Sequence, residues 1–164
     1  MLHTFAVLGG DARQRYLAAL LTASGFTVHT FAVPELQDTA ASLEETVSQI
    51  DAVCLPTPAV TSGAITGLPD LTPAHLLSLL PERAVVFGGG LGAFKTLLQR
   101  TDTFYYDVLQ NSALAIENAS LTAEGALLLA LQAMPIAIRD SAVLVTGFGR
   151  IGKSLSAKLH ALGA

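Results

Sequence analysis

Short apolar runs that end in glycine- or proline-rich turns alternate with helix-like segments along most of this chain, and this alternation constrains the fold more than any other feature. The apolar run at residues 5–8 ends at Gly9-Gly10. Residues 11–24 then carry apolar side chains on one helical face, and residues 26–31 alternate as a strand does. Strands that alternate with helices favour a parallel sheet covered on both faces. We therefore predict an α/β fold.

The same pattern continues to about residue 106. Further strands are predicted at residues 51–55, 83–87 and 103–106, and helices at 41–49, 73–80 and 92–99. The loops that follow the strands are rich in Gly, Pro or Thr, and the carboxyl ends of parallel strands meet at one edge of a sheet. The loops at residues 9–13, 56–61 and 88–92 should therefore face one crevice. The expected architecture is a three-layer, flavodoxin-like or Rossmann-like parallel sheet.

Two helical stretches, residues 109–118 and 122–134, are predicted after the last strand, with Ala119-Ser120-Leu121 between them and Pro135 at the end. Thr122 suits the N-cap of the second helix, and Glu124 would lie in its favourable first turn. The Ala- and Leu-rich composition indicates a bridging helix. We place a domain boundary here, with an N-terminal α/β domain on the substrate side at residues 1–120 and a second domain that opens at residues 121–164.

A glycine-rich turn follows the apolar run at residues 141–146. Gly147, Gly149 and Gly152 form GxGxxG, the phosphate-binding turn of a dinucleotide fold, but the same stretch with Lys153-Ser154 also reads GxxxxGKS, the phosphate loop of nucleotide triphosphatases. No acidic residue follows Ser154, whereas a triphosphatase needs an acidic strand end to help hold magnesium. We therefore favour the dinucleotide interpretation. Its cofactor-binding residues would be Gly147, Phe148, Gly149, Arg150, Ile151 and Gly152.

The turn would supply only the first strand and helix of a second Rossmann domain, because the chain stops at Ala164. The residue that reads the ribose lies about 20 positions beyond such a motif. We therefore expect this truncated chain to bind nucleotide weakly and to be inactive alone.

Composition excludes several classes of function. Charged residues make up 13% of the chain and the net charge is -4, so no basic face is available for nucleic acid or an anionic membrane. No apolar run approaches the roughly 20 residues of a membrane span, and the N-terminus lacks a signal peptide. We predict a cytoplasmic protein with no metal site. The single cysteine, Cys54, is expected to be buried and inert, and none of the four histidines is assigned a catalytic role.

The order of the motifs resembles that of a known family. Gly9-Gly10-Asp11-Ala12-Arg13 after the first strand matches an opening GGDxR, and Leu55-Pro56 ends a middle strand. Residues 118–125 (NASLTAEG) are similar to NSxPTxEG, with Ala119 and Leu121 where the family has Ser and Pro, and GFGRIG follows at residues 147–152. On these residues the whole chain resembles roughly the first half of the A subunit of dipicolinate synthase.

The resemblance implies a function. Members of this family oxidise a dihydrodipicolinate-type intermediate to dipicolinate during sporulation, by hydride transfer to NADP or NAD, and act together with a B subunit. It also implies that the first domain holds the dicarboxylate, that the second holds the nucleotide, and that the protein works in the cytoplasm of the sporulating mother cell.

A dicarboxylate needs cationic or amide donors, and Arg offers the best geometry for a carboxylate. Arg13 follows the first glycine turn at a helix N-terminus, where anions are favoured, although it could instead pair with Asp11. Glu124 is a weak candidate for a general base, with helix capping as the other explanation; the catalytic residues are otherwise unknown. The candidate substrate-binding residues are Gly10, Asp11, Arg13, Thr57, Gly89, Asn118 and Thr122.

Two other functions stay open. The chain could be a non-enzymatic α/β module that binds a small anion or a partner protein, or a nucleotide binder that uses GxxxxGKS. An apolar face left uncovered in the second domain would favour a homo-oligomer or docking of the final strand.

Overall fold

The computed structural model describes residues 1–164, which divide into two units, Met1–Val108 and Leu109–Ala164. The predicted boundary at residue 120 falls inside a helix of the second unit, and the division comes earlier, directly after the last strand. The roles predicted for the two domains stay predictions.

The first unit is built on a parallel sheet, as predicted. The strands of the chain are β1 (Thr4–Leu8), β2 (Thr27–Phe31), β3 (Ala52–Cys54), β4 (Val60–Thr61), β5 (Ala64–Ile65), β6 (Val85–Gly88) and β7 (Tyr105–Asp107). Five of them form the sheet in the order β2-β1-β3-β6-β7, and all neighbours are parallel. The chain first extends the sheet from β1 to β2 and then crosses back to β3 on the other side of β1. This reversal places the switch in strand order between β1 and β3, where ligands gather in such folds.

Four helices connect these strands: α1 (Ala12–Ala23), α2 (Leu43–Val47), α3 (Pro73–Leu79) and α4 (Ala93–Arg100). Their starts follow from local chemistry. The Asp11 side chain accepts a hydrogen bond from the Arg13 amide, and the Thr72 side chain accepts one from His75 with Pro73 at the first helical position. Asp and Thr are both residue types that the N-cap position favours.

Apolar side chains cover both faces of the sheet. The larger cluster includes Leu8, Val53 and Val86 from the strands with Leu76 and Phe94 from α3 and α4. The smaller cluster, on the other face, packs Val7 and Cys54 against Ala18 of α1. Cys54 is a free, buried thiol, as expected.

A short antiparallel hairpin formed by β4 and β5 was not predicted. It lies between β3 and α3, where the sequence Val60-Thr61-Ser62-Gly63-Ala64 carries no long alternating run. Each of its strands has two residues, too few for a periodicity signal.

The second unit contains α5 (Ser112–Ala133) and α6 (Arg150–Ala161). The prediction of two helices at residues 109–118 and 122–134 is wrong, because a single helix runs through Ala119-Ser120-Leu121. No Gly or Pro interrupts that stretch, and its N-cap is Asn111, whose side chain accepts hydrogen bonds from Ala113 and Leu114. The helix ends before Pro135, as expected.

The predicted strand at residues 141–146 is not paired in a sheet. A strand needs a neighbouring strand for its backbone hydrogen bonds, and the second unit contains no strand. The predicted helix after the glycine turn is present as α6.

One helix bears on the prediction that no apolar run approaches the length of a membrane span. As one helix, Ser112–Ala133 has the length and mean hydropathy of a span, with 11% of its apolar window buried. Length and composition are weak evidence by themselves. The helix carries Glu117 and Glu124, and Lys158 of α6 pairs with Glu124.

Candidate functional site

Two loops meet at the switch in strand order of the first unit. The loop after β1 ends at Asp11, and Arg13 follows in the first turn of α1. The loop after β3 contains Thr57 and Pro58, which are joined by a cis peptide bond. Nη2 of Arg13 donates a hydrogen bond to the carbonyl oxygen of Thr57 at 2.8 Å. The structure therefore brings together two of the loops that the sequence assigns to one crevice.

Asp11 and Arg13 form an ion pair at this crevice. Nε and Nη2 of Arg13 lie 3.0 and 2.8 Å from the two carboxylate oxygens of Asp11. The side-chain hydrogen bond from Arg13 and the bond from its backbone amide lower the pKa of Asp11 from 3.8 to about 2. The Nη1 group of Arg13 makes no hydrogen bond within the protein, and the side chain is 66% exposed. The guanidinium is thus held in place by Asp11 and Thr57, with one nitrogen left for a ligand carboxylate.

The glycine turn itself is closed to an anion. The Gly9 amide donates to the Phe31 carbonyl at 2.9 Å, and the Gly10 amide donates to the Thr66 carbonyl of the hairpin at 3.0 Å. A Cβ on Gly67 would overlap the Gly10 nitrogen, so the hairpin and the turn pack backbone against backbone. Both amides therefore already donate to carbonyl groups of the protein and are not available to a ligand. Gly10 could contribute to substrate binding only by leaving space, because it has no side chain.

Gln14 contributes to the crevice floor, and the sequence reasoning missed it. Its side chain is buried, and Nε2 lies 3.1 Å from the Cys54 carbonyl and 3.4 Å from the Leu8 carbonyl. The two carbonyls lie at the ends of β1 and β3, where the strands diverge and ladder partners run out. The sequence signal that could have indicated this role is a polar amide side chain at a position of the predicted helix that faces the sheet.

The third loop, after β6, packs against the second. A Cβ on Gly89 would overlap Oγ1 of Thr57, so only glycine allows this approach. The Gly90 amide donates to Oδ1 of Asp107 at 3.1 Å, and Asp107 is a buried carboxylate at the end of β7. The predicted residues Thr57 and Gly89 are therefore in contact, and Asp107 is a neighbour that the sequence did not single out.

The three other predicted residues lie along α5 in the second unit. Asn118 and Thr122 are one turn apart, and Oγ1 of Thr122 donates to the Asn118 carbonyl at 2.7 Å. Thr122 is therefore not an N-cap, and Glu124 is not in a first turn, because both lie in the interior of a continuous helix. The Glu124 carboxylate accepts a hydrogen bond from Nζ of Lys158 at 2.8 Å, which ties α5 to α6. No observation supports Glu124 as a base.

The three glycines of the turn before α6 differ in what surrounds them. Gly152 is buried, and a Cβ there would overlap the Gly147 carbonyl oxygen, so the first turn of α6 packs directly on the turn. An added Cβ at Gly147 or Gly149 meets nothing within 4 Å, which leaves the backbone open to a ligand. The GxGxxG pattern assigns close helix packing to its third glycine and an exposed backbone to its second, and the dinucleotide role itself stays a prediction.

The Lys153 side chain lies over an aromatic ring of the same turn. Its Nζ lies 5.8 Å from the centroid of the Phe148 ring. An open groove of about 900 Å³ borders the turn and is lined by apolar and small residues of α5 and of residues 143–152, among them Ala119, Val145 and Gly147. A flat apolar part of a ligand could lie on the surface of this groove, next to Gly147 and Gly149.

Similarity to known proteins extends over the whole chain. A sequence model of the family described as the N-terminal domain of the dipicolinate synthase A subunit matches residues 4–108. The structure is similar to a crystal structure of the dipicolinate synthase A chain from Bacillus subtilis, with a TM-score of 0.78, 27% sequence identity and coverage of 100% of this chain and 59% of the other.

It is also similar to the dipicolinate synthase A subunit from Bacillus halodurans, with a TM-score of 0.82 and 25% identity over 99% of this chain and 59% of that chain. No curated protein sequence matches. The chain spans about three fifths of the length of the two solved structures.

Proposed function

The chain belongs to the family of the dipicolinate synthase A subunit, and on this basis we propose that its protein oxidises a dihydrodipicolinate-type intermediate to dipicolinate with a nicotinamide cofactor. The observation that carries the proposal is the family match over residues 4–108, which coincides with the first unit almost end to end. The two dipicolinate synthase structures support it, because each aligns with nearly the whole chain.

The first unit would bind the dicarboxylate. Arg13 is oriented by Asp11 and Thr57, and its Nη1 is left to donate to a carboxylate, so binding would not require the guanidinium to reorganise. The adjacent Asp11 carboxylate would repel a second carboxylate at the same place, which favours one-point binding by Arg13. The other carboxylate would need donors that the described contacts of the first unit do not identify.

The second unit would contribute to the nucleotide site. The open backbone at Gly147 and Gly149 and the uncapped start of α6 after Gly149 fit a pyrophosphate, and Phe148, Arg150 and Ile151 complete the predicted set. A bound NADP or NAD supplies the hydride acceptor, and loss of a hydride and a proton converts the dihydropyridine ring to an aromatic one. By family, the protein would act with a B subunit in the cytoplasm of a sporulating cell.

The nucleotide assignment is tested by titrating the full-length protein with NADP, NAD and ATP. We expect NADP or NAD to bind, Gly149→Val to weaken binding at least about tenfold, which corresponds to about 1.4 kcal/mol, and Lys153→Ala to change it little. Gly125→Val, in the exposed part of α5, is the matched control. Tight ATP binding that depends on Lys153, without binding of NADP or NAD, would support a phosphate loop and overturn the proposal.

The substrate assignment is tested by steady-state kinetics of the full-length protein together with its B subunit. The substrate is a dihydrodipicolinate, and the reaction is followed by the absorbance of the reduced nicotinamide. Arg13→Lys keeps the charge but loses the planar fork, so we expect KM to rise about tenfold with a smaller change in kcat. Arg83→Gln, an exposed arginine before β6, is the control and should leave both constants unchanged. An unchanged KM in Arg13→Lys would remove Arg13 from the site.

A further inference from the structure

Asp107 is a buried carboxylate at the end of β7, and the site described above does not use it. Asp107 is 8% exposed, and it lies beside Gly88 because β7 pairs with β6. From there Oδ1 of Asp107 accepts a hydrogen bond from the Gly90 amide at 3.1 Å. A carboxylate that is buried in a protein and bonded to a backbone amide holds that amide strongly, because the bond is charge-assisted. The carboxylate therefore anchors the turn at residues 88–90.

This turn is also attached to the loop after β3, at two points. The Gly89 amide donates to the Pro56 carbonyl at 3.3 Å, and the Gly89 carbonyl accepts from the Ala59 amide at 2.8 Å. The two bonds bracket Thr57, whose side chain fills the space where a Cβ on Gly89 would lie. The position of Gly89 thus sets the position of Thr57.

Thr57 in turn holds Arg13, through the hydrogen bond from Nη2 to its carbonyl oxygen at 2.8 Å. One continuous set of contacts therefore crosses the ends of four neighbouring strands, from Asp107 at the end of β7, through Gly90 and Thr57, to Arg13 after β1. All of these contacts lie within the first unit.

We propose that Asp107 is a positioning residue for Arg13, acting through the turn at residues 88–90 and through Thr57. This inference rests on the proposed function for the role of Arg13 in binding a carboxylate. An apolar side chain at position 107 would leave the half-buried Gly90 amide without this acceptor, and the turn would shift to find another partner. Thr57 and Arg13 would shift with it.

Three variants of the full-length protein separate positioning from bulk stability. Asp107→Leu removes the acceptor oxygen. Asp107→Ser shortens the side chain, so that its oxygen no longer reaches the Gly90 amide, and Asp107→Asn keeps an acceptor oxygen at the position of Oδ1. Asp70→Leu and Asp70→Asn, at an exposed carboxylate of the same unit, are matched controls. The measurements are the hydrogen-exchange rate of the Gly90 amide, the NMR signal of the Arg13 Nε–H, and the Kd for dipicolinate.

We expect Asp107→Leu and Asp107→Ser to raise the exchange rate of Gly90 at least tenfold and to shift the Arg13 Nε–H signal. Asp107→Asn should change both less, because it keeps the acceptor oxygen and loses only its charge, and the Asp70 variants should change both little. The Kd for dipicolinate should rise about tenfold in the same two variants and return toward wild type in Asp107→Asn. If Asp107→Leu does not fold, the Ser and Asn variants make the same comparison.

An Arg13 signal that stays unchanged in a folded Asp107→Ser variant, despite fast exchange at Gly90, would overturn the proposal, and so would an Asp107→Asn variant that behaves as the Ser variant does. If the wild-type protein does not bind dipicolinate, the proposed function fails at the substrate, and the two NMR measurements still decide the role of Asp107.

Discussion

Arg13 illustrates how single side chains in this protein serve structure and binding together. Its Nε–H and both Nη2–H donors are used by Asp11 and Thr57, and Nη1 is left over. By sequence alone, Arg13 could either pair with Asp11 or bind a ligand. The geometry makes these roles compatible, because the ion pair orients the side chain toward the loop that it would share with a ligand.

The Asp11 ion pair predicts a contribution to stability that depends on pH. The pKa of Asp11 falls from 3.8 to about 2 through its bonds with Arg13, so the contribution is present above about pH 4 and is lost as the pH falls toward 2. The pair is exposed, so the effect should be small and should weaken in high salt. Urea unfolding at several pH values should show a shallower loss of stability in this window for Asp11→Asn than for wild type. Equal slopes would mean that the pair does not stabilise the fold.

Cys54 should be unreactive in the folded protein. Burial raises the pKa of its thiol to about 12, so almost no thiolate is present at neutral pH, and the sheet and α1 cover the sulfur. We expect an alkylating reagent to modify Cys54 slowly in buffer and rapidly in denaturant, as measured by mass spectrometry. Fast modification in buffer would show that α1 opens readily from the sheet.

At the scale of elements, close packing of glycine backbones determines several contacts. The hairpin β4-β5 lies on the turn after β1 because Gly67 has no side chain, and α6 lies on the turn at residues 147–149 because Gly152 has none. Both contacts join elements that periodicity alone cannot assign to each other.

Gly67→Ala should destabilise the first unit more than Gly63→Ala does. Both glycines have φ +86°, so each variant carries the cost of a left-handed backbone, about 1 kcal/mol. At Gly63 the added Cβ meets nothing, whereas at Gly67 it overlaps the Gly10 backbone, and a further cost of about 2 kcal/mol is expected. Urea unfolding of the two variants measures the difference. Equal losses would show that the hairpin moves away from the turn at little cost.

Gly152→Ala should loosen α6 from its glycine turn, because the new Cβ would overlap the Gly147 carbonyl. Overpacking of this kind costs about 1–3 kcal/mol. Gly125→Ala, in the open interior of α5, should instead stabilise its helix by about 0.5–1 kcal/mol. Thermal unfolding of both variants tests whether the two substitutions change stability in opposite directions. An unchanged stability in Gly152→Ala would contradict the close approach of residue 152 to the Gly147 carbonyl.

At the scale of the whole molecule, the first unit holds both faces of a covered sheet within Met1–Val108. A segment of this size with its own core should fold by itself. We expect residues 1–108, produced alone, to unfold in one cooperative transition in urea, monitored by circular dichroism and compared with the transition of the whole chain. A gradual transition would show that the unit depends on residues outside it. The predicted homo-oligomer and the predicted B subunit remain predictions.

The sequence by itself determined the elements whose signals are local. The caps Asp11 and Thr72, the glycine turns and the alternation of strands with helices follow from short-range chemistry, and they predicted the α/β class and the loops at one sheet edge. Predictions from the sequence were wrong where the local pattern was weak or where the element needed a neighbouring strand. Ala119-Ser120-Leu121 continues one helix, and residues 141–146 form no strand without a neighbour.

Only the tertiary structure decided which groups meet across the sheet. Gln14 bridges Leu8 and Cys54, and Asp107 holds Gly90, through hydrogen bonds between residues far apart in sequence. The order of the strands in the sheet brings such residues together, and no local sequence pattern determines that order. For the same reason the closure of the Gly10 amide by Thr66 could not be foreseen, although both residues stand in recognisable turns.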